Sequence, residues 1–386
     1  MPSGRVTVSA PMGECFIGLM SGTSTDGVDG VIARFDGEQG MQVLAHQHLP
    51  YTDDLRAELL ALNSRGSNEL HRAALAANAV ARSYAAVVNE LLETSGRVPR
   101  QIRAAGAHGQ TVRHQPGVVD GVGYTLQLLN GSLLAELTGI DVVSDLRSRD
   151  LAAGGQGAPL VPVFHRAIFG RTDRSIAVLN AGGISNLSLL SRDGSTCGFD
   201  TGPGNCLMDM WALRHLGQAY DDGGRWAAAG QVLADLLAAL LTEPFFAKPP
   251  PRSTGRDLFN AAWLDEQLAR LAPKASPTDV QATLLELSAI SVSQMVRQFA
   301  GDAVELLVCG GGVFNLCLMD RLQAHLPGLR VLSTDERGLP AMQVEAAAFA
   351  WLARQFVLRA PGNLTEVTGA SGPRVLGALH PAAAAR

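Results

Sequence analysis

Lysine is almost missing from this chain. Lys248 and Lys274 are its only two, beside 29 arginines in 386 residues. Neither follows a glycine-rich loop, which excludes a GxxxxGK[ST] phosphate loop. Neither sits in a VAIK-like strand, which excludes the protein-kinase layout. A nucleotide handled here would be held by backbone amides, hydroxyls and Mg²⁺ more than by lysine. Aromatic residues are also scarce, at 5%, leaving little to stack bases or to build a lectin-like sugar surface. The net charge is −5, so no global positive field speaks for a nucleic-acid partner. No apolar run reaches the roughly 18 residues a membrane helix needs, and residues 232–241, broken by Asp235, read as a packed helix. The N-terminal residues lack the apolar segment of a signal peptide. Five cysteines (Cys15, Cys197, Cys206, Cys309 and Cys317) are odd in number and without CxxC spacing. That excludes a disulfide frame or zinc site and suits a reducing cytosol.

What is present is a globular composition, 47% hydrophobic and 17% charged, enough for two domains at roughly 100–200 residues each. After a loose lead-in over 1–14, strands are expected at 15–20, 28–35 and 41–48, helices at 54–63 and 69–95, and strands at 102–107, 124–129 and 140–144, the last two flanking a helix at 132–138. The second half opens in the same way, with strands at 175–179 and 187–190 around a glycine-rich turn. Helices follow at 205–216, 226–241 and 278–299, then a strand at 304–309 and a long helix at 341–358. A Pro-rich loop covers 249–255, and the tail after His380 is expected to fray. Strands alternating with helices make an α/β protein with mixed sheets. The two similar openings lie about 160 residues apart, the spacing of a fold duplicated at domain scale.

Residues 21–29, SGTSTDGVD, join two apolar strands. Glycines admit an anion close to the backbone, successive amides and the hydroxyls of Thr23, Ser24 and Thr25 can cradle phosphate oxygens, and Asp26 can hold Mg²⁺. The same residue types also make a plain hairpin turn. Residues 180–186, NAGGISN, repeat the pattern with Gly182 and Gly183, and are again either a phosphate loop or a hairpin. Gly310, Gly311 and Gly312 after a strand offer either a flat seat for a planar base or a flexible joint. Asp200, in the rigid turn FDTGPGN at 199–205 with Asn205 as helix cap, sits where α/β proteins gather active-site residues. It is either a general base or a turn-ordering carboxylate. Arg147 and Arg149, in a polar stretch between the halves, can fork onto a carboxylate or phosphate or serve a structural network. His108 and Gln110 end a strand and suit a hydroxyl-rich ligand. Glu345 on the last helix reads most simply as a surface carboxylate.

In order and spacing these segments resemble the sugar kinase/Hsp70/actin superfamily of ATPases. Within it, IGLMSGTSTDGVD (17–29), GQTVRH (109–114), DLAAGGQGAPLVPV (150–163), GGISNL (182–187), FDTGPGN (199–205), CGGGVFN (309–315) and TGASGPRVL (368–376) resemble the anhydro-N-acetylmuramic acid kinases. The resemblance implies a two-domain, actin-like (RNase H-like) fold with an interdomain active-site cleft. The expected domains are 1–145, completed by part of 359–386, and 146–358. It also implies a bacterial cytoplasmic enzyme of cell-wall recycling that uses ATP, Mg²⁺ and water to turn 1,6-anhydro-N-acetylmuramic acid into N-acetylmuramic acid 6-phosphate. By the same resemblance Asp200 is the catalytic base. Gly22, Thr23, Ser24, Thr25, Asp26, Gly27, Val28 and Asp29 bind ATP together with Gly182, Gly183 and Gly310–Gly312, and Asp26 also serves the metal. His108, Gln110, Arg149 and Glu345 approach the sugar, and a homodimer is common in such proteins. Thr25 stands where the family often has Leu, and Gly204 where it often has Ala. The competing readings are an ordinary hydroxyl-directed amino-sugar kinase and a non-catalytic nucleotide switch, the latter disfavoured by the lack of an evident peptide-binding appendage.

Overall fold

The computed structural model describes residues 13–37, 40–118, 120–250, 252–255 and 257–383. The expected lead-in up to residue 12, and the last three residues of the expected tail, lie outside them. The chain divides into two compact units.

The first unit comprises Met1–Ala152, Glu345–Gly362 and Arg374–Arg386. Its strands, numbered in chain order, are β1 (Glu14–Met20), β2 (Gly27–Asp36), β3 (Gly40–Pro50), β4 (Ile102–Ala107), β5 (Gln110–Pro116), β6 (Gly123–Leu128), β7 (Val142–Ser144) and β13 (Ala378–His380). Six of them form one sheet in the order β13-β7-β4-β1-β2-β3, while β5 and β6 form a separate hairpin. β1 reads ECFIGLM because it lies at the centre with both faces covered, and Phe16, Ile17 and Leu19 are fully buried. Helix Glu69–Ser95 lays Val80, Tyr84, Val87, Val88 and Leu91 against the sheet at helical spacing and stops at Gly96, in the left-handed region at φ 66.

The second unit comprises Ala153–Val344 and Asn363–Pro373. Its sheet runs β10-β9-β8-β11-β12, from β8 (Ser175–Ala181), β9 (Ile184–Leu190), β10 (Thr196–Pro203), β11 (Ala303–Cys309) and β12 (Arg330–Ser333). Three antiparallel strands, the first of which is flanked on its other side by two parallel ones, repeat the β3-β2-β1-β4-β7 arrangement of the first unit. This duplicated order is the RNase H-like topology of the actin-like fold. Helix Pro277–Phe299 forms the centre of the second core, buried nearly all round from Val280 to Val296.

Four expectations are corrected. Glu14 already belongs to β1 and not to the lead-in. The helix expected at 226–241 is two, Arg225–Ala228 and Ala234–Leu240. Between them Gly230 presses so close to the Thr278 carbonyl that a side chain there would clash. The rigid turn expected at 199–205 is strand through Pro203; Asn205 stands at the helix N-cap as expected, but its side chain donates to the Ala181 carbonyl (3.0 Å) and not to the helix. Finally, helix Val344–Val357, expected in the 146–358 domain, falls with the first unit from Glu345 onward. Its small residues are the reason. Gly18 of β1 lies on the Ala346 carbonyl and Gly106 of β4 on the Phe349 carbonyl, approaches that any Cβ would block.

Candidate active site

The turn between β1 and β2 is closed by the Thr25 amide donating to the Gly22 carbonyl at 3.2 Å. Thr25 takes φ +54, a strained conformation for a β-branched residue and a frequent mark of a working loop. Thr23 and Asp26 are exposed, while Gly22 and Ser24 are half-buried. The base of the turn is pinned: Ser21 Oγ donates to the Gly109 carbonyl (3.0 Å) and pairs with Tyr84 Oη (2.7 Å), and Gln110 Nε2 donates to the Gly22 carbonyl (2.9 Å). Gln110 Oε1 is buried without a partner among the described residues, an acceptor left over for a ligand donor. Gly27, Val28 and Asp29 lie in β2. Val28 is wholly buried in the core, so only its backbone can serve a nucleotide. Asp29 faces His46 Nε2 (3.3 Å) and His48 Nδ1 (3.1 Å) across the β2–β3 pairing.

His108 follows β4. Its Nδ1 meets the Ser21 carbonyl at 3.1 Å and its Nε2 faces Arg147 Nη2 at 2.9 Å. A donating Nδ1–H and an accepting Nε2 are the roles of a neutral imidazole. Burial, reinforced by the Arg147 charge, pushes the His108 pKa down to about 3. Burial also lowers Arg147, to about 10, against the supporting charges of Glu345 and Asp150. Glu345 is no plain surface carboxylate: burial first, then the charge of Asp29, holds its carboxyl above the usual range, with Arg147 opposing. The first unit therefore gathers the glycine turn, His108, Gln110, Arg147 and Glu345. Arg149 stands outside this cluster, exposed on the short helix Ser148–Leu151.

In the second unit Asp200 lies on β10, where the register with β9 shifts before Gly202. A bulge of this kind re-aims a side chain. Oδ2 of Asp200 accepts from Ser253 Oγ (3.1 Å) and the Thr254 amide (2.9 Å), whereas Oδ1 has no protein partner among the described residues. Arg252 fastens this loop to the strand, donating to the carbonyls of Asp200 (2.8 Å) and Thr201 (3.1 Å) with its guanidinium over the Phe245 ring. Burial raises the Asp200 pKa, and the two hydrogen bonds and the Arg252 charge restrain the rise. The Thr254 hydroxyl is buried and has no hydrogen-bond partner among the described residues.

Gly182 and Gly183 turn β8 into β9, and their carbonyls accept from the amides of Asn205 (2.8 Å) and Gly204 (2.9 Å). A Cβ on Gly310 would collide with the Asn180 side-chain oxygen and one on Gly312 with the Ala181 side chain, while Gly311 is exposed. After β11 the chain passes through Gly310 into the 3-10 turn Gly311–Phe314, in which Gly312 is buried. The second unit thus brings Gly182 and Gly183 together with Gly310–Gly312 at one end of β8 and β11. Sequence reasoning missed Arg252, Ser253 and Thr254, whose only signal was a Pro-rich loop. It treated Arg147 and Arg149 alike, as a fork for a carboxylate or phosphate or as part of a structural network, and did not place Arg147 beside His108.

Among the described residues no three His, Cys, Asp or Glu side chains form a metal cluster. Exposed Asp26 beside the glycine turn still suits Mg²⁺, which keeps most of its waters and arrives on phosphates with one or two protein carboxylates.

The sequence profile of the family described as anhydro-N-acetylmuramic acid kinase matches residues 14–382. A protein of that name from Variovorax paradoxus is 61% identical over 376 residues, covering 96% of this chain and 100% of its own. Its counterpart from Albidiferax ferrireducens is 57% identical, covering 96% and 100%. That from Ralstonia nicotianae is 54% identical, covering 97% and 100%.

Proposed function

The chain belongs to the anhydro-N-acetylmuramic acid kinase family, and from that premise we propose how its own residues carry the reaction. The protein is an ATP-dependent kinase of cell-wall recycling. It couples hydrolytic opening of 1,6-anhydro-N-acetylmuramic acid to phosphorylation of O6, giving N-acetylmuramic acid 6-phosphate and ADP. In the anhydro sugar O6 is an ether oxygen with no proton to lose. Water must therefore attack C1, the C1–O6 bond must break, and O6 takes the γ-phosphoryl group as ADP leaves.

Asp200 takes the proton from that water. The observation that carries this role is the one-sided bonding of its carboxylate: Ser253 and Thr254 fix Oδ2 and leave Oδ1 as the basic atom. Burial raises its proton affinity toward the range in which a general base works well. A carboxylate near C1 also favours the positive character that develops there.

The Gly22–Thr25 turn presents amides and hydroxyls to the ATP phosphates, with Gly182, Gly183 and Gly310–Gly312 completing the nucleotide site. Phosphoryl transfer needs mainly alignment and charge neutralisation. Mg²⁺ held by Asp26 would supply part of that neutralisation. Gln110, with its spare acceptor, serves the sugar hydroxyl and amide groups, while His108, a neutral imidazole with both ring nitrogens engaged, acts toward the substrate by positioning Arg147 and the base of the glycine turn. Glu345 meets the sugar through a carboxyl that burial holds above its usual range, and exposed Arg149 offers a guanidinium to the substrate's lactyl carboxylate. We read the two units as the two kinase lobes, the enzyme as cytoplasmic, in keeping with five free cysteines, and its assembly as a homodimer, which sedimentation would measure.

The test is mass spectrometry of 1,6-anhydro-N-acetylmuramic acid incubated with ATP, Mg²⁺ and H₂¹⁸O. Heavy oxygen at C1 of a 6-phosphorylated product, formed with ADP, is the expected result. Phosphorylation only of an already open amino sugar would overturn the coupled reaction.

A further inference from the structure

At the end of β1 remote from the glycine turn, the first unit holds a cavity of about 440 Å³. Its wall carries Arg34, Arg97, Arg100 and Arg103 with Glu14 and Asp36. The strand register explains part of the convergence. Cys15 of β1 stands between Arg34 of β2 and Ile102 of β4, so Arg34 and Arg103 flank one strand end. Arg97 and Arg100 arrive from just beyond helix Glu69–Ser95 and from the turn Pro99–Gln101.

Two of the four arginines are spoken for. Arg34 Nε donates to Asp36 Oδ2 (3.0 Å) and its Nη2 to Gln42 Oε1 (2.9 Å), and Arg103 lies 4.0 Å from Glu14. Arg97 and Arg100 have no side-chain partner among the described residues. The carboxyl end of helix Glu69–Ser95 accounts for part of Arg97's placement, but half-buried Arg97 and exposed Arg100 still leave two positive charges unanswered. They do so in a protein whose net charge is −5. Gln101 spends its Oε1 on the Val98 amide (2.9 Å) and keeps its NH₂ group as a donor. Gly13 lines the same cavity, and a side chain there would run into the Asp36 carboxylate and the Phe35 carbonyl.

An excess of two guanidinium charges with a spare amide donor matches a phosphomonoester, which carries about −1.5 to −2 at neutral pH and offers three acceptor oxygens. A single carboxylate would leave one charge unmet. The volume falls in the range of about 300–1,000 Å³ that small ligands occupy, room for a phosphate and a sugar-sized body. We propose that this pocket binds a sugar-sized phosphomonoester at a site separate from the phosphotransfer chemistry. The kinase's own product belongs to that ligand class, but the binding site stands whether or not the kinase reading does.

The experiment is isothermal titration of the full chain, its nucleotide site first filled with a non-hydrolysable ATP analogue and Mg²⁺. Glucose 6-phosphate, glucose and inorganic phosphate are titrated separately. Glucose 6-phosphate is expected to bind in one equivalent, more weakly as salt rises, and glucose not to bind. The Arg97→Ala/Arg100→Ala variant should lose about tenfold in affinity for each guanidinium removed, with turnover unchanged. Arg97→Lys/Arg100→Lys, which keeps charge without the fork, should fall between and guards against misfolding of the alanine variant. Absence of saturable binding, or equal binding by the alanine variant, would overturn the site. Inorganic phosphate binding as tightly as the ester would overturn the sugar-phosphate assignment in favour of free phosphate.

Discussion

Because Ser253 and Thr254 both donate to Oδ2 of Asp200, losing the carboxylate and losing one of its supports should have different signatures. Asp200→Asn should leave the affinity for a non-hydrolysable ATP analogue intact and lower kcat by roughly a hundredfold or more; near-normal turnover would remove Asp200 from the base role. Ser253→Ala removes a bond that favours the anion, so the Asp200 pKa rises further and the acidic limb of the kcat/KM profile moves to higher pH. A support that merely holds the fold would change Tm and leave that limb in place. His165 makes a separate prediction. It is buried, bonded through Nδ1 to Ser188 Oγ (2.8 Å), with Nε2 lacking a partner among the described residues, and burial depresses its pKa from 6.5 to about 3. The unfolded chain therefore binds a proton that the folded chain refuses between those values. Its stabilising contribution is complete above about pH 6.5 and falls with acidification toward pH 3, by roughly 1.4 kcal/mol per pH unit. His165→Gln should flatten the fall of Tm with pH below 6.5. Asp200 stood out as a candidate because the motif at 199–205 surrounds it, whereas Glu345 lies in no such motif, and its burial beside Arg147 came only from the fold. Ser253 and Thr254 did not stand out, since hydrogen bonds that bridge some fifty residues of chain leave no local pattern. Arg147 and Arg149 are two residues apart, and only the fold separates the one beside His108 from the exposed one.

Elements were easier to read than their ends. Helix Glu69–Ser95 and strand β4 coincide with expectation, because a long amphipathic period closed by Gly96 and a short apolar run between polar turns are strong local signals. The opening strand of the β5–β6 hairpin carries Arg113, His114 and Gln115 and so lacked the apolar alternation that marks a strand. Gly230 broke an otherwise continuous helical pattern for a reason lodged in another helix. The seating of helix Val344–Val357 was equally hidden, since it depends on two glycines in distant strands. Gly106→Ala should drive a methyl group into the Phe349 carbonyl. We expect a loss of about 1–3 kcal/mol, read as a lowered Tm and accompanied by reduced turnover because Glu345 rides on that helix. Gly328→Ala, which meets nothing within 4 Å, is the control and should leave Tm unchanged.

At the scale of the molecule the duplication showed in the sequence only as two similar openings. The shared strand order is what establishes it, since backbone pairing tolerates almost complete divergence of side chains. The first unit is built from three chain segments, the last of them Arg374–Arg386. β13 pairs antiparallel with β7 through Val142, Val143 and Ser144, and His380 bonds Ser144 and Ser132. Deleting residues 374–386 should therefore bare the β7 edge, lower Tm, and raise light scattering at a temperature the full chain tolerates. The same arrangement bears on how the protein is made. The sheet begun by β1 is sealed by β13, the last strand among the described residues. At about 5–20 residues per second, the nascent first unit waits on the order of tens of seconds with an open edge and with the grooves at Gly18 and Gly106 unfilled. The sheet of the second unit, which ends with β12 at Ser333, can form before then, although that unit's own last segment, Asn363–Pro373, emerges only just ahead of β13. A co-translational chaperone that shields strand edges would have its longest engagement with the half of the molecule that was synthesised first.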